Sequence, residues 1–389
     1  MAGPRALPLS HWAEAELRSI ERLGGGTALS SLTATQLMGE RAALNGFRIP
    51  GRISAGGGCR LYDTLDMPVA LTLARPDDRA MLPALFGESG IDGGDDAQLI
   101  AAFAARRSEE MVAQGRLLGL AIARIGETPV SPVCAITAEG EIKARTAPPL
   151  VIDLSALWAG PLAAHLVGLC GARVIKVESH TRPDRMREGD PALFARLNQG
   201  KANIALDLRH GVDRAALIAL ISRADLVIES ARPRALRQLG IDADALVRAV
   251  PGLVWMTITG HGTSGEAAHW IGFGDDCSVT GGLSSALLDA GGSVGFGGDA
   301  CADPLIGIRA AHLALARLRD GRGARMILSM SAIIAHALAS ETRRDEDALM
   351  ADLRSWSMAG GSSFPTVEPR PFGAVAALGQ DNEAWLTSC

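Results

Sequence analysis

Aromatic side chains are scarce in this 389-residue chain: 4% of residues, with one tyrosine, Tyr62. Single-stranded nucleic acid is held largely by stacking bases on aromatic rings, so a platform of that kind is excluded. An excess of positive charge is missing too. Lys+Arg total 38 against Asp+Glu 43, a net charge of -5, which argues against a dedicated nucleic-acid binder. No apolar run reaches the ~18 residues of a membrane-spanning helix, so no membrane partner is expected. The opening stretch, MAGPRALPLSHWAEAEL, lacks the apolar core of a secretory signal. Cysteines fall at 59, 134, 170, 277, 301 and 389; none forms C-x-x-C and none has a histidine at zinc-finger spacing. Reduced thiols, no metal and a cytoplasmic location are the expectation.

What is present is glycine, 45 residues, together with an ordinary 48% hydrophobic and 21% charged composition. A chain of this length and composition folds into two or three domains around sizeable cores. The pattern divides it into a small α+β domain over 1–127, a Pro-containing linker over 128–149 with at most a short strand, a Rossmann-like domain over 150–335, and a C-terminal extended tail with short helices over 336–389. The expected fold class is therefore α/β: a mostly parallel sheet domain with a smaller α+β domain placed N-terminal to it.

The middle stretch carries the clearest pattern. Val151–Leu154, Ala172–Val177, Ile204–Leu208, Ala224–Glu229 and Leu253–Ile258 read as strands. Helical patterns separate them, the first running from Pro161 to Gly171 with proline at its start and glycine at its stop. Strands separated by helices imply right-handed crossovers and a parallel sheet, whose ligands sit at the C-terminal strand ends near a topological switch point.

Several chemistries can be set aside. Gly260-His-Gly262-Thr-Ser-Gly265 matches G-x-G-x-x-G after a strand, but EAAHWIGFGDD follows it where a helix is required, so a nicotinamide or flavin oxidoreductase is disfavoured. No Walker-type loop and no G-x-S-x-G elbow occur. The most informative segment is Cys301-Ala-Asp303-Pro304, after which Leu305, Ile308, Ala311, Leu315 and Leu318 recur at helical spacing. Pro304 suits the first helical position and Asp303 the N-cap. An N-capping role alone accounts for most Asp-Pro starts. The alternative is a carboxylate nucleophile kept anionic by the helix terminus. Gly56-Gly57-Gly58, ahead of the apolar run Val69–Leu73, is either a plain turn or a lid that approaches a ligand closely.

Five stretches taken together carry a resemblance: DLSALWAGPLAAHLVGLCGARVIKVES (153–179), LNQGKANIALDL (197–208), ADLVIESARPRALRQLGID (224–242), TGHGTSGE (259–266) and ADPLIGIRAAHLALARLRDGRGAR (302–325). In this order the chain resembles the family III CoA-transferases, the class that includes formyl-CoA transferase, carnitine CoA-transferase and alpha-methylacyl-CoA racemase. The resemblance implies that Asp303 is the catalytic residue. It implies that Trp158 and Ala159 line the adenine or pantetheine site, that Lys201 faces phosphate, and that Ser230, Ala231, Thr259 and His261 lie near the CoA. No permanently bound cofactor is implied; coenzyme A enters as a thioester substrate.

On that resemblance the chain moves CoA from an acyl-CoA to a carboxylic acid through an aspartyl-acyl anhydride and an aspartyl-CoA thioester. The glycine loops at 56–58 and 295–298 are the candidate oxyanion donors. An acyl-CoA racemase or isomerase is the alternative within the class. It needs a histidine where Gly272-Phe273-Gly274-Asp275 stands, and Phe273 cannot transfer a proton. A CoA-binding protein without turnover is the other reading. Members of the family form interlocked homodimers, and the extended segment 355–380 suits wrapping a partner. The family's small domain follows its catalytic domain, whereas GRISAGGGCRLYDT and 103–125 resemble it but come first. The chain thus reads as permuted, or as part of a fused duplicated member.

Overall fold

A computed structural model describes residues 6–88, 90–144, 147–232 and 235–386. Two sheets organise it. The smaller is antiparallel, order β1 (Cys59–Tyr62), β2 (Val69–Thr72), β3 (Ala121–Arg124). The larger has seven strands: β4 (Cys134–Ile142), β5 (Leu150–Asp153), β6 (Arg173–Ser179), β7 (Ala202–Leu206), β8 (Leu226–Glu229), β9 (Val254–Thr259) and β10 (Arg322–Ser329). Their order is β4-β10-β9-β8-β5-β6-β7, all parallel except β4, which pairs antiparallel with β10 at one edge. The α/β class with a mostly parallel main sheet is thereby established.

The central strands are short, continuous apolar runs because both their faces are covered. All four residues of β5 and of β8 are buried. One face packs on the helices Ala159–Leu169 and Ala302–Asp320, the other on Gly211–Ile221 and Ala243–Ala249. The chain runs from β5 outward through β6 and β7, then returns to the far side of β5 as β8. The crevice beyond the C-terminal ends of β5 and β8 is therefore the switch point, where α/β sheets hold ligands.

The elements depart from the expected segmentation in three places. Within 1–127, the helices Ser10–Ile20 and Ala34–Asn45 bury Trp12, Leu17 and Leu37 in the same core as Leu305 and Ile308 of Ala302–Asp320. Glu16 fixes that contact, 2.9 Å from Arg309 and 2.7 Å from His312. The small sheet has its own core of Tyr62, Phe86 and Phe103, with Tyr62 and Phe103 stacked at 4.5 Å. Within 128–149, the stretch expected as a linker supplies the nine-residue edge strand β4. Its exposed, mixed-polarity face hides it from a search for apolar runs. Within 336–389, a helix spans Met330–Met358 with non-helical backbone at Asp345, so the tail proper begins after it.

That tail lies along its own chain. Arg196 donates to the Arg370 carbonyl at 2.6 Å, and the Arg370 guanidinium binds buried Glu40 at 2.9 Å. Asp381 accepts from the Asn203 N–H at 2.7 Å, covering the edge strand β7. A covered edge cannot pair with a stray strand.

Candidate active site

The site forms where three loops meet the start of the helix Ala302–Asp320. Asp303 is the second residue of this helix, Cys301 is its N-cap and Pro304 its third residue. This corrects the expectation that Asp303 caps the helix and Pro304 opens it. The difference is one of phase: Cys301 already has helical backbone, and proline is tolerated anywhere in a first turn whose N–H groups have no helical acceptor. The backbone N–H groups of Ala159 and Gly274 instead lie toward the Asp303 carboxyl and favour its ionised form. Glycine is required at 274, because a Cβ there would collide with Asp303 Oδ2 and with the Ala300 carbonyl. Two non-glycine residues with positive φ flank the site, Leu157 at 68° and Ala300 at 44°. Strained backbone of this kind is held by its surroundings and clusters at functional sites. The Ala300 N–H is held by Asp275 Oδ1 at 3.1 Å.

Around Asp303 the charge balance is unusual. Asp275 and Asp299 lie in the same cluster, faced by the guanidinium of Arg41. Arg41 Nη2 is 3.1 Å from Asp299 Oδ1. Burial pushes Asp303 and Asp299 up to about 7 and raises Asp275, with Arg41 opposing the rise in each. The expectation that the helix terminus lowers Asp303 and keeps it anionic is therefore corrected. Withdrawal from water outweighs the two N–H donors and the cation. Nearby Asp276 is also pushed up to about 7, by burial first.

These carboxyls give a stability prediction. Their folded-state values lie above those of an unfolded chain, so the folded state binds protons more tightly. The resulting stabilisation is complete below about pH 4 and is lost as pH rises through 7. Glu16 and Glu178, shifted the other way, are ionised in both states above about pH 5. His165 and His261, pulled down by burial, work against the trend between about pH 5 and 7 but are outnumbered by the raised carboxyls. Urea titration is expected to show at least about 1 kcal/mol less stability at pH 8 than at pH 5. In Asp276→Asn the difference shrinks, since the amide oxygen still accepts from the Phe273 N–H and the Thr72 hydroxyl but the side chain no longer titrates. An unchanged pH slope in that variant removes Asp276 from the account.

The structure gathers most of the residues expected at the site around the switch point. Trp158 and Ala159 follow β5; the Ala159 N–H lies toward Asp303, and the Trp158 ring lies 5.3 Å from the Arg41 guanidinium. Ser230 and Ala231 follow β8, with Ser230 Oγ 3.5 Å from the Ala156 N–H and the Ala231 N–H on Glu229 at 2.8 Å. Thr259 ends β9 and binds the Leu328 carbonyl and the Gly262 N–H, both at 2.8 Å. His261 is buried edge-on to Trp270 and pulled down to about 3, so it is neutral. Gly56 meets the Arg41 guanidinium, and the loop around Gly57 and Gly58 is closed by the Ser54 hydroxyl on the Cys59 N–H at 3.0 Å. In the second glycine run, the Phe296 N–H is already bound to the Gly51 carbonyl at 3.1 Å, which withdraws it as an oxyanion donor.

Lys201 is the exception. Its ammonium is buried and donates to Asp153 at 2.8 Å, to the Pro161 carbonyl at 2.9 Å and to Asn198 at 3.1 Å. All three donors are spent inside the protein, so the expectation that Lys201 faces a phosphate is corrected. The reason is packing: from the residue before β7 the side chain reaches under the end of β5, between Asp153 and the first helical turn at Pro161, where no donor is left free.

Sequence spacing missed Arg41 and Asp299, which carry no motif and are joined to the Gly272–Asp275 stretch only by the fold. His261, Asp276 and Cys277 bring ligand atoms within 4.8 Å of one another, an arrangement with metal-binding composition. Their chemistry does not favour an ion there: burial pushes the Cys277 thiol far up, and Asp276 already accepts from Thr72 at 2.8 Å and Phe273 at 3.0 Å. The five described cysteines, 59, 134, 170, 277 and 301, are all free thiols; Cys389 lies outside the described residues. Among those residues no helix is long and apolar enough to cross a membrane.

Comparison with known proteins places this geometry in a class. The model of CoA-transferase family III matches residues 149–354, more than half the chain. The chain belongs to that family. Among curated relatives it is similar to acetyl-CoA:oxalate CoA-transferase of Acetobacter aceti, 31% identical over 204 residues, covering 49% of this chain and 52% of the relative. It is also similar to succinate–glutarate CoA-transferase of Agrobacterium fabrum, 29% identical over 215 residues, covering 50% and 54%. Among solved structures it is similar to a CaiB/BaiF family protein from Brucella suis, with 27% identity, coverage of 51% and 57%, and a TM-score of 0.47. The chain spans about half the length of the curated relatives it matches.

Proposed function

We propose that this chain catalyses transfer of CoA from an acyl-CoA thioester to a carboxylic acid, with Asp303 as the nucleophile. The observation that carries the reading is the seat of Asp303: a carboxyl at the first turn of a helix, beside the sheet's switch point, close against Gly274 and influenced by the Arg41 charge. The ionised carboxylate attacks the thioester carbonyl, forms an aspartyl-acyl anhydride and expels CoA thiolate. The thiolate attacks the aspartyl carbonyl of the anhydride, giving an aspartyl-CoA thioester and the free donor acid. The acceptor carboxylate then attacks that thioester to give a mixed anhydride, and the thiolate returns to the acceptor's carbonyl, which frees Asp303. Splitting one exchange into several acyl transfers replaces a difficult step with easier ones. Coenzyme A is a substrate here, not a resident cofactor.

The reading predicts a trappable adduct. Protein incubated with a panel of acyl-CoAs and quenched with hydroxylamine is expected to carry a hydroxamate on the peptide containing Asp303. A panel that leaves this peptide unmodified, while thioester exchange proceeds, removes Asp303 as the nucleophile. Racemase or isomerase chemistry is the weaker reading, because Phe273 stands where a second proton carrier is needed.

Assembly as a homodimer and a cytoplasmic location complete the proposal. Light scattering is expected to give twice the 40.5 kDa chain mass. A monomer at working concentration removes the dimer. The tail's contacts with its own chain, such as Arg370 with Glu40, leave room for a dimer without threading.

A further inference from the structure

Arg41 lies outside the segment that matches the family, on the helix Ala34–Asn45, yet it reaches the centre of the site. Its guanidinium is fixed on several sides. The Trp158 ring centroid is 5.3 Å away and that of Phe47 5.6 Å, so the cation rests against two aromatic rings. Nη2 forms the ion pair with Asp299 at 3.1 Å. A Cβ at Gly56 would lie 2.5 Å from the same nitrogen, so the glycine loop is shaped to admit the guanidinium. Neither oxygen of buried Asp299 accepts a hydrogen bond from the described residues, and Arg41 is the cation that answers its charge.

We propose that Arg41 is a positioning residue for the reaction: held by Trp158, Phe47 and Asp299, it supplies the positive charge that keeps Asp303 ionised for attack. The inference rests on the reading of Asp303 as nucleophile. The groups that face this cluster are Asp275, Asp299 and Asp303 on one side and Arg41 on the other. Asp190 adds negative charge toward Asp299, and the Cys301 thiol stays neutral, pushed far up by burial. Three carboxyls sharing one cation cannot all ionise cheaply, so removing the cation favours the protonated form of each. It also gives the N-terminal segment a chemical role: the helix and glycine loop ahead of the sheet complete the charge balance at its switch point.

The test compares Arg41→Gln with Arg41→Lys. An opposite charge beside a carboxyl moves its ionisation by about 1–3 pH units. In Arg41→Gln the acidic limb of the transfer rate is therefore expected to move upward by at least about one unit. That is roughly a tenfold loss on the acid side, which fades above about pH 9. Arg41→Lys keeps the charge but loses the planar stack on Trp158, and is expected to keep the wild-type limb. If Lys and Gln lose rate alike with an unshifted profile, Arg41 is structural and the inference fails.

Carbon-13 titration of labelled aspartate, with the Asp303 resonance identified from Asp303→Asn, reads the same shift without turnover. If the wild-type chain transfers no CoA, the functional reading fails, and the titration still decides the role of Arg41. Should Arg41→Gln not fold, Gly56→Ala displaces the guanidinium with a single methyl group and is expected to move the Asp303 titration the same way. An unmoved titration overturns the proposal.

Discussion

Asp303→Asn is expected to abolish transfer of CoA while leaving the melting curve close to that of the wild type. The argument follows from where the carboxyl sits. Asp303 is not the helix cap, so the substitution removes no capping bond; Cys301 holds that position. The amide has the shape of the carboxyl and fits the same space against Gly274. Burial already holds the carboxyl at about 7, so near neutrality it is half neutral, and a neutral amide there costs the fold little. Catalysis is different. An amide oxygen forms no stable anhydride with an acyl group, and the covalent route closes. Loss of a nucleophile of this kind removes about 10⁴-fold or more of the rate. Exchange of labelled acid into acyl-CoA, measured beside thermal melting, separates the two effects. Retained exchange makes Asp303 structural. A large fall in melting temperature shows that the charge, not only the shape, belongs to the fold.

The central sheet was legible in the sequence because its strands are short apolar blocks between helices with proper starts and stops. Val151–Leu154 and Ala224–Glu229 were found to within one or two residues as β5 and β8. The strand missed was β10, and β4 is longer than the short strand allowed for in the linker. Arg322-Gly-Ala-Arg begins β10 with residues that read as the end of the preceding helix, and only pairing with β9 and β4 makes them a strand. Strand β4 is mostly exposed, so its pattern has no continuous apolar face. Both owe their structure to tertiary pairing, which outweighs local propensity.

Within the site, legibility stops where contacts span long sequence distances. Asp303, Trp158, Ala159 and Gly274 occupy segments that local pattern or family resemblance marks. Arg41 does not: it is one of many charges on a helix near the start of the chain, about 260 residues from Asp303 by number. Burial misled the reading twice, for Asp303 and for Lys201. A helix terminus favours an anion only to the extent that water is not removed at the same time. A lysine in an otherwise loop-like NQGK reads as solvated until the strand after it turns its side chain inward.

Lys201→Met is expected to weaken folding by about 3–5 kcal/mol and to leave the CoA affinity of the folded protein unchanged. The ammonium is fully enclosed and answers the equally enclosed Asp153, whose other oxygen accepts from the Ser155 N–H at 3.0 Å. Burial pulls Lys201 down to about 8. A base whose folded value lies below its unfolded one binds its proton less well in the folded state. The charged lysine therefore opposes folding below pH 8, and the opposition eases as pH rises toward the unfolded value. Asp153 moves in the stabilising direction: burial raises it, but Lys201 and Lys176 carry it below its ordinary value, so the two halves of the pair oppose each other. Removing one partner still costs heavily, because Asp153 is left charged, buried and without its counter-ion. The double variant Lys201→Met with Asp153→Asn removes that uncompensated charge and is expected to recover most of the loss. Urea unfolding of the two single variants and the double closes the cycle. If Lys201→Met folds as well as wild type and instead loses CoA affinity, the ammonium serves the ligand after all, and the buried arrangement described here is not the one that binds CoA.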